Sequence, residues 1–156
     1  MPVDPLDYRS VIGRFATGVT VVTAVHGDEP FGMTANSVTS VSLEPTLLLV
    51  CFIHGSRTGI AVKEAGFFGV NILEESQEDL SNRFAATAND WDGFKWYTGS
   101  HGVPLFEETL GRLVCKVDKV LDGGDHEIVL GEVIECEAGD DADPLLFYKG
   151  KYLRRG

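Results

Sequence analysis

The feature that most constrains the fold is a pair of long Val/Leu/Ile-rich runs, residues 113–121 and 127–137, separated by a Gly-Gly-Asp turn. A turn this short predicts an antiparallel hairpin, because parallel strands need a crossover of about a dozen residues or more. Other strand-like runs bring the total to about seven, and the three short predicted helices do not alternate regularly with them. The sequence therefore predicts a mainly β fold, a largely antiparallel β-barrel with peripheral helices, as a single domain over residues 1–156.

Helix boundaries are predicted from capping residues. Asp4 caps the first helix and Gly18 ends it, while Ser56 caps a second helix that ends near Gly66. A third helix precedes residues 87–102, a polar segment rich in glycine and aromatic residues that predicts a long loop. Two roles stay open for the part of this loop from Trp91 to Gly102: a lid over a binding site, or packing at a dimer interface.

Charge and apolar run length exclude several classes of protein. The 24 acidic and 13 basic side chains give a net charge of −11, which disfavours nucleic acid and anionic membranes as partners. The longest apolar runs, residues 46–53 and 67–73, fall far short of the ~20 residues that span a bilayer. Without a signal-peptide pattern at the N-terminus, we expect a cytoplasmic protein. The cysteines and histidines lack metal-ligand spacing, so no metal site is predicted.

Residues 32–43, GMTANSVTSVSL, form the most unusual segment of the sequence. Small hydroxyl and amide side chains there leave the backbone open to a ligand, and Asn36 and Ser37 add polar groups. A planar heteroaromatic molecule with several acceptors, such as a flavin ring, matches that surface. The alternative is a polar turn with local hydrogen bonds.

Two further segments carry candidate binding groups. HGSRTG, residues 54–59, places a helix N-terminus beside Arg57 and two hydroxyls, which suits a phosphate; the alternative is a simple cap with a solvated arginine. His126 follows a tight turn and could contact a ligand, or could simply face water at a strand end. The sequence contains no GxGxxG, GxxxxGK[ST] or GxSxG motif, so Rossmann dehydrogenases, P-loop enzymes and ordinary serine hydrolases are not supported.

Several segments in this order resemble the short-chain flavin reductases, the reductase components of two-component flavin-dependent monooxygenases, which have the FMN-binding split-barrel fold. The resemblance covers nearly the whole chain. It is carried by GRFATGVTVVTA (13–24), GMTANSVTSVSLEP (32–45), FFGVNIL (67–73), SNRFA (81–85), GDHEIVLGEV (124–133) and PLLFYKGKY (144–152).

The resemblance implies a homodimeric NAD(P)H:flavin oxidoreductase that passes hydride to exchangeable FMN or FAD. The reduced flavin would then reach a partner monooxygenase, by diffusion or in a transient complex. The few basic residues favour NADH, with NADPH as the alternative. Two other interpretations remain: a split-barrel flavoprotein that holds FMN tightly, and a non-catalytic flavin- or haem-binding module.

The resemblance also assigns site residues. Those for flavin are Met33, Thr34, Ala35, Asn36, Ser37 and Val38 along the ring, Cys51 and Phe52 through their backbone, Ser56, Arg57 and Thr58 at the phosphate, and Asn82, Arg83 and Phe84 on the ribityl or adenine side. The nicotinamide nucleotide is assigned to His126, as the catalytic-site residue, and to Tyr148, Lys149 and Gly150. Backbone amides around residues 35–37 would stabilise the anionic reduced flavin.

Overall fold

The computed structural model describes residues 2–154. The α-helices are α1 (Pro5–Ile12), α2 (Arg57–Ala65) and α3 (Glu78–Ala85), with short 3₁₀ turns at Glu75–Gln77 and Ser100–Gly102. The strands are β1 (Thr17–Gly18), β2 (Thr20–His26), β3 (Glu29–Ala35), β4 (Val38–Leu43), β5 (Thr46–Ile53), β6 (Phe67–Ile72), β7 (Trp96–Thr98), β8 (Pro104–Phe106), β9 (Gly111–Gly123), β10 (His126–Ala138), β11 (Leu146–Tyr148) and β12 (Lys151–Leu153). Among these helices, none is long and apolar enough to cross a membrane.

Seven strands form one sheet in the order β3-β2-β6-β9-β10-β5-β4, and every neighbouring pair is antiparallel. The edge strands β3 and β4 are joined by Asn36 and Ser37 alone, a link that spans roughly 10 Å at most. The end of β3 and the start of β4 therefore lie close together, so the sheet curls into a barrel whose two unpaired edges diverge from this link. The predicted antiparallel β architecture with peripheral helices is confirmed.

The barrel core follows from alternation along the strands. In β5, Leu48, Val50 and Phe52 are buried while the residues between them are only half-buried, as the period of two in a strand requires. Buried residues of β2, β6, β9 and α2 complete this cluster. A second core cluster joins α3 to Phe106 and Leu145 outside the barrel sheet. The two clusters hold α2 and α3 against the sheet and so position the surface between them.

Three local predictions were wrong. Helix α1 ends at Ile12, not at Gly18, because Gly13 caps it and Thr17–Gly18 pairs with β11 as strand β1. Strand β4 was missed because its Ser and Thr residues face solvent at the sheet edge. The predicted final strand, residues 146–152, is a hairpin. Lys149 and Gly150 have φ angles of 52° and 74°, which a type I′ turn requires.

The aromatic loop contains core residues. Trp91 is only 9% exposed and stacks on Phe106 with ring centroids 5.2 Å apart and an interplanar angle of 10°. It also meets the Phe84 ring edge-on at 4.8 Å. Farther along the loop, Trp96–Thr98 pairs with β8 as a short hairpin. Trp91 therefore packs in the second core cluster, a role that neither sequence-based interpretation of the loop anticipated.

Candidate functional site

The end of strand β3 lies between the beginning of α2 and helix α3. On one side, the Ser56 hydroxyl lies 3.7 Å from the Met33 sulfur. On the other side, Thr34 Oγ1 donates to the Ser81 carbonyl at 2.6 Å. Among residues 2–154, strand β3 pairs with β2 alone, so its second edge is unpaired in the described sheet. We call this surface the β3–α2–α3 face and define it by Met33, Asn36, Ser56, Arg57 and Asn82.

The N-terminus of α2 offers donors to an anion. Ser56 Oγ accepts a hydrogen bond from the Gly59 amide at 3.1 Å, which caps the helix. The amides of Arg57 and Thr58 have no carbonyl partner within the helix, because they belong to its first turn. The positive end of the helix dipole adds to their attraction for a phosphate.

The predicted phosphate residues contribute in different ways. The Ser56 hydroxyl already serves as the helix cap, and the Thr58 side chain is 5% exposed. The Arg57 guanidinium is exposed and donates to the Thr87 carbonyl, which holds it near the loop after α3. A phosphate at this place would therefore meet two backbone amides and Arg57, rather than the two hydroxyls that the motif suggested.

Along the predicted ring segment, most side-chain hydroxyls are already bonded within the protein. Ser37 Oγ donates to the Cys51 carbonyl at 3.1 Å, and the Cys51 amide donates to the Ser37 carbonyl at 3.2 Å. Ala35 and Phe52 are buried, whereas Asn36 is exposed and Val38 is half-buried. The groups open to a planar ligand are thus the unpaired edge of β3 and the Asn36 amide.

The SNRFA segment forms most of α3 and mainly builds the surface. The Arg83 guanidinium pairs with Asp90 at 3.2 Å and donates to the Asp92 carbonyl at 2.8 Å. Phe84 is 2% exposed, and its ring would lie 2.7 Å from a Cβ placed on Gly32, so it packs tightly beneath β3. Asn82 is exposed, and its Oδ1 accepts from Tyr152 at 3.0 Å. Of the three predicted residues in this segment, Asn82 presents a side-chain donor to solvent.

His126 begins strand β10 opposite Ile53, beside the strand end that carries Cys51. Its Nδ1 lies 2.7 Å from Asp125 Oδ1. The hydrogen bond and the charge of His126 lower the pKa of the Asp125 carboxyl from its ordinary value of 3.8. The imidazole is half-buried, so part of its ring is open to a ligand.

His54, which the motifs did not single out as a site residue, holds the turn before His126. The His54 amide donates to the Asp125 carbonyl at 3.1 Å, and its Nε2 donates to the Gly124 carbonyl at 3.0 Å. His54 opens the HGSRTG motif, so the motif itself contained the signal. Only the pairing of β5 with β10 shows which turn this histidine reaches.

Tyr148, Lys149 and Gly150 lie apart from the other predicted residues. Lys149 donates its amide to the Gly13 carbonyl at 2.8 Å, and its Nζ lies 5.3 Å from the centre of the Tyr148 ring. Lys149 and Gly150 line an open depression of about 1530 Å³, and Asn36 and Val38 line the same depression. Within the described chain, this open depression therefore separates the turn from the flavin segment.

The depression has mostly apolar walls, and we call it the α1–β4 depression, defined by Phe15, Leu43, Leu47, Leu113 and Val133. Leu43 is 87% exposed and Phe15 is 73% exposed. The adjoining helix α1 has no buried residue at all. Large apolar side chains in such a continuous exposed group are typical of a protein–protein contact.

Other chemistry has little support in the described part of the chain. Among residues 2–154, no three His, Cys, Asp or Glu side chains are grouped so as to hold a metal ion. Burial raises the pKa of the Cys51 thiol, and it raises that of Cys115 to about 12. Neither thiol is a reactive nucleophile at neutral pH.

Comparison with known proteins gives consistent matches over nearly the whole chain. Residues 12–155 match the family model described as a flavin reductase-like domain. The chain is 42% identical over 153 residues to HsaB, the reductase subunit of a flavin-dependent monooxygenase from Mycobacterium tuberculosis, covering 96% of this chain and 82% of that protein. It is 41% identical over 147 residues to the FMN reductase (NADH) SmoA from Agrobacterium fabrum, covering 94% of this chain and 84% of that protein.

A solved structure extends the likeness to three dimensions. The NADH:FAD oxidoreductase SgcE6 from Streptomyces globisporus, in complex with NAD and FAD fragments, superimposes with a TM-score of 0.92 at 38% identity. The superposition covers 100% of this chain and 97% of that one. The predicted split-barrel fold is confirmed by this likeness.

Proposed function

The chain belongs to the flavin reductase-like domain family, and from that premise we propose that it is an NADH-dependent flavin reductase that supplies reduced flavin to a partner monooxygenase. The observation that carries the proposal is the β3–α2–α3 face, where an unpaired strand edge runs between a helix N-terminus and Asn82. In the reaction, nicotinamide C4 would give a hydride to flavin N5, and this transfer alone would yield NAD⁺ and the anionic reduced flavin.

The residues present fit a flavin nucleotide. The first-turn amides of α2 and the Arg57 guanidinium suit its phosphate. The edge of β3 suits a flat ring toward Ala35, because no strand pairs with it there. At Pro30 the carbonyl already accepts from Asn89 Nδ2 at 2.8 Å. Asn36 and the amides beside it supply donors for the ring oxygens, and such donors favour the added negative charge of the reduced state.

His126 is proposed to contact the nicotinamide nucleotide, with His54 as its support. Because His54 fixes the turn by two hydrogen bonds, His126 keeps its place at the end of β10. No nucleophile is needed, since the protein only has to hold two rings face to face and keep water out. The names of two relatives specify NADH and differ in FMN or FAD, so NADH is our first choice and the flavin is ranked by assay.

We propose a homodimer in which a second copy covers the α1–β4 depression. The exposed apolar side chains of α1 and of residue Leu43 adjoin Asn36 and Lys149, so the covered surface would border both proposed nucleotide sites. Within one chain, the depression separates the Tyr148–Gly150 turn from the flavin segment. A second copy would enclose the space between them.

We also propose that the flavin is exchangeable. Few side chains on the face have unused donors, because Thr34, Ser37 and Arg83 bond within the protein. A micromolar Kd, about 8 kcal/mol, would allow reduced flavin to leave for a partner. A single domain and a cytoplasmic location remain part of the proposal, and three free cysteines suit a reducing compartment.

The first experiment is anaerobic mixing of the protein with NADH and, separately, FMN, FAD or riboflavin. We expect the oxidised-flavin absorbance to be lost over many turnovers for at least one flavin. Loss of only one equivalent per protein, with colour that survives dialysis, would instead indicate a flavoprotein with tightly bound FMN. Flavin binding with no NADH oxidation would indicate a non-catalytic binding module.

A further inference from the structure

Tyr152 connects the end of the chain to helix α3. Its hydroxyl lies 2.6 Å from Ser81 Oγ and 3.0 Å from Asn82 Oδ1. The two helix residues are adjacent, but their environments differ, because Ser81 is buried and Asn82 is exposed. The hydroxyl therefore stands at the border between the protein interior and the β3–α2–α3 face.

The donors and acceptors of this group can be assigned. Tyr152 has one hydroxyl hydrogen, which it donates to Asn82 Oδ1. Ser81 Oγ must then donate to the Tyr152 oxygen, while the Ser81 carbonyl accepts from Thr34 Oγ1 at 2.6 Å. A continuous chain of hydrogen bonds thus runs from β3 through α3 to β12.

The position of Tyr152 is set by contacts that do not involve Asn82. Tyr152 pairs with Phe147 in the β11–β12 hairpin, and their ring centroids are 5.7 Å apart. Two residues later, Arg154 forms ion pairs with Glu75 at 3.3 Å and Glu78 at 3.4 Å, at the start of α3. The tyrosine hydroxyl is therefore a fixed point against which the asparagine amide is oriented.

We propose that Tyr152 is a positioning residue that turns the Asn82 amide so that its Nδ2 donors face the bound flavin. With Oδ1 bonded to Tyr152, the amide directs its oxygen toward the tyrosine and leaves its two N–H donors for a ligand. The matching ligand group is an acceptor oxygen, such as a ribityl hydroxyl or a phosphate oxygen. This inference rests on the proposed function, because it names the flavin as the ligand of that face.

Fixing the amide lowers the cost of binding. An exposed asparagine side chain rotates and presents either its oxygen or its nitrogen, and a ligand that needs one orientation must halt that motion. The Tyr152 hydrogen bond already fixes the orientation of the Asn82 amide before the ligand binds. Removing the hydroxyl should therefore weaken flavin binding through Asn82, although Tyr152 itself contacts no ligand.

The test is a double-mutant cycle on flavin affinity. Tyr152→Phe, Asn82→Ala and the double variant are compared by flavin fluorescence quenching with FMN and FAD, together with KM for flavin, kcat and Tm. We expect Tyr152→Phe to raise Kd about fivefold, the loss of roughly one hydrogen bond, with kcat at saturating flavin little changed. In the Asn82→Ala background, the same substitution should change Kd by less than about 1.5-fold, because the residue it orients is absent.

Two further variants control for structure and chemistry. Tyr97→Phe removes an equivalent hydroxyl from strand β7, where it makes no hydrogen bond in the described chain, and Kd should stay unchanged. Asn82→Asp keeps an oxygen for Tyr152 but replaces the donors by a negative charge, so it should weaken binding more than Asn82→Ala.

The outcomes separate the positioning role of Tyr152 from the proposed reductase function. An equal loss of affinity from Tyr152→Phe in both backgrounds would overturn the positioning role, since the hydroxyl would then act without Asn82. Unchanged Kd in Asn82→Ala, in a protein that turns over NADH and flavin, would overturn it as well and leave the reductase proposal intact. If the wild-type protein neither binds flavin nor oxidises NADH, the proposed function itself fails.

Discussion

The β3–α2–α3 face and the α1–β4 depression adjoin at Asn36, yet they expose opposite kinds of surface. On the face, side chains such as Thr34, Ser37 and Arg83 form hydrogen bonds within the protein, and a few donors remain open. In the depression, Leu43 and Phe15 project into solvent with no apolar cover. A surface with a few oriented donors is suited to a polar ligand, whereas a broad apolar surface is suited to another protein surface.

The two regions also differ in how much their own fold stabilises them. The face is held by hydrogen bonds between segments that are distant in sequence, such as Thr34 with Ser81 and Ser37 with Cys51. Helix α1 has a cap at Asp4 but contributes no buried residue. The face is therefore held in place by bonds within one chain, while the apolar groups around α1 stay exposed in that chain.

The largest effect should come from a charge in the depression. We expect Leu43→Glu to weaken self-association by about a hundredfold or more, since a buried unpaired carboxylate opposes burial of apolar surface. Light scattering coupled to gel filtration over a dilution series measures it. Leu121→Glu, at an exposed leucine of β9 outside the depression, is the matched control. A Leu43→Glu protein that assembles like the wild type would mean that the depression is not the dimer interface.

Next in size is the loss of the cation on the face. Arg57→Ala should weaken FMN and FAD binding about twentyfold, which is the scale of a charge-assisted hydrogen bond to phosphate. Riboflavin has no phosphate, so its Kd should hardly change. Lys119→Ala removes one positive charge from an exposed position of β9 and serves as the control for net charge. Equal losses for riboflavin and FMN would argue that Arg57 does not meet the phosphate.

Thiol modification should show whether the α1–β4 depression is covered. Cys136 is exposed and lines the depression, while Cys115 is buried with a pKa raised to about 12. At pH 8 we expect a maleimide to label Cys136, about tenfold more slowly in the dimer than in the Leu43→Glu monomer, and to leave Cys115 unlabelled until unfolding. Peptide mapping by mass spectrometry gives the rates. Labelling of Cys136 at one rate in both assembly states would contradict the covered depression.

A smaller effect is expected from the nicotinamide side. His126→Ala should raise KM for NADH about fivefold, the loss of one ligand hydrogen bond, with flavin Kd changed less than about twofold. Steady-state kinetics at saturating flavin provides KM, and His26→Ala at the exposed end of β2 is the control. A change in flavin affinity with KM for NADH unaffected would mean that the two nucleotide sites are exchanged.

The smallest effect concerns the pH dependence of stability. His126 lowers the pKa of Asp125, so the stabilisation by this pair is present above the ordinary Asp value of 3.8 and is lost as pH falls through the lowered pKa. Tm of Asp125→Asn should therefore lie slightly below that of the wild type above pH 3.8 and converge with it as pH falls through the lowered pKa. Asp118→Asn, at an exposed position of β9, should show no such convergence. The difference is small because Asp125 is exposed.

The strands and helix ends that the sequence predicted correctly depend on local signals. The apolar run at Thr46–Ile53 became β5 with the predicted bounds, and Ser56 and Gly66 cap α2 as expected. The edge strand β4 escaped prediction because an edge strand with one solvent-facing side needs no apolar run. Gly18 failed as a helix end because pairing of β1 with β11, which involves residues far along the chain, decides its conformation.

For the candidate site, the sequence identified the segments better than the individual groups. The segments at β3, α2 and α3 contact one another and β10 pairs with β5, but Ser56 is a helix cap and Phe84 is a core residue. His54 and Tyr152 were not singled out as site residues, although both stand inside motifs that were recognised. Motif order locates a site, but it does not tell which side chains are already bonded within the protein.

What the sequence by itself determined were properties carried by neighbouring residues: alternation along strands, capping at Asp4 and Ser56, and the order of motifs that marks the family. The tertiary structure alone decided which polar groups stay free for a ligand. A hydroxyl such as that of Thr34 finds its acceptor 47 residues away, and the end of β3 and the start of β4 lie close together only because Asn36 and Ser37 link them. The physical reason is that hydrogen-bond satisfaction and solvent exposure depend on packing between distant segments, which local pattern does not encode.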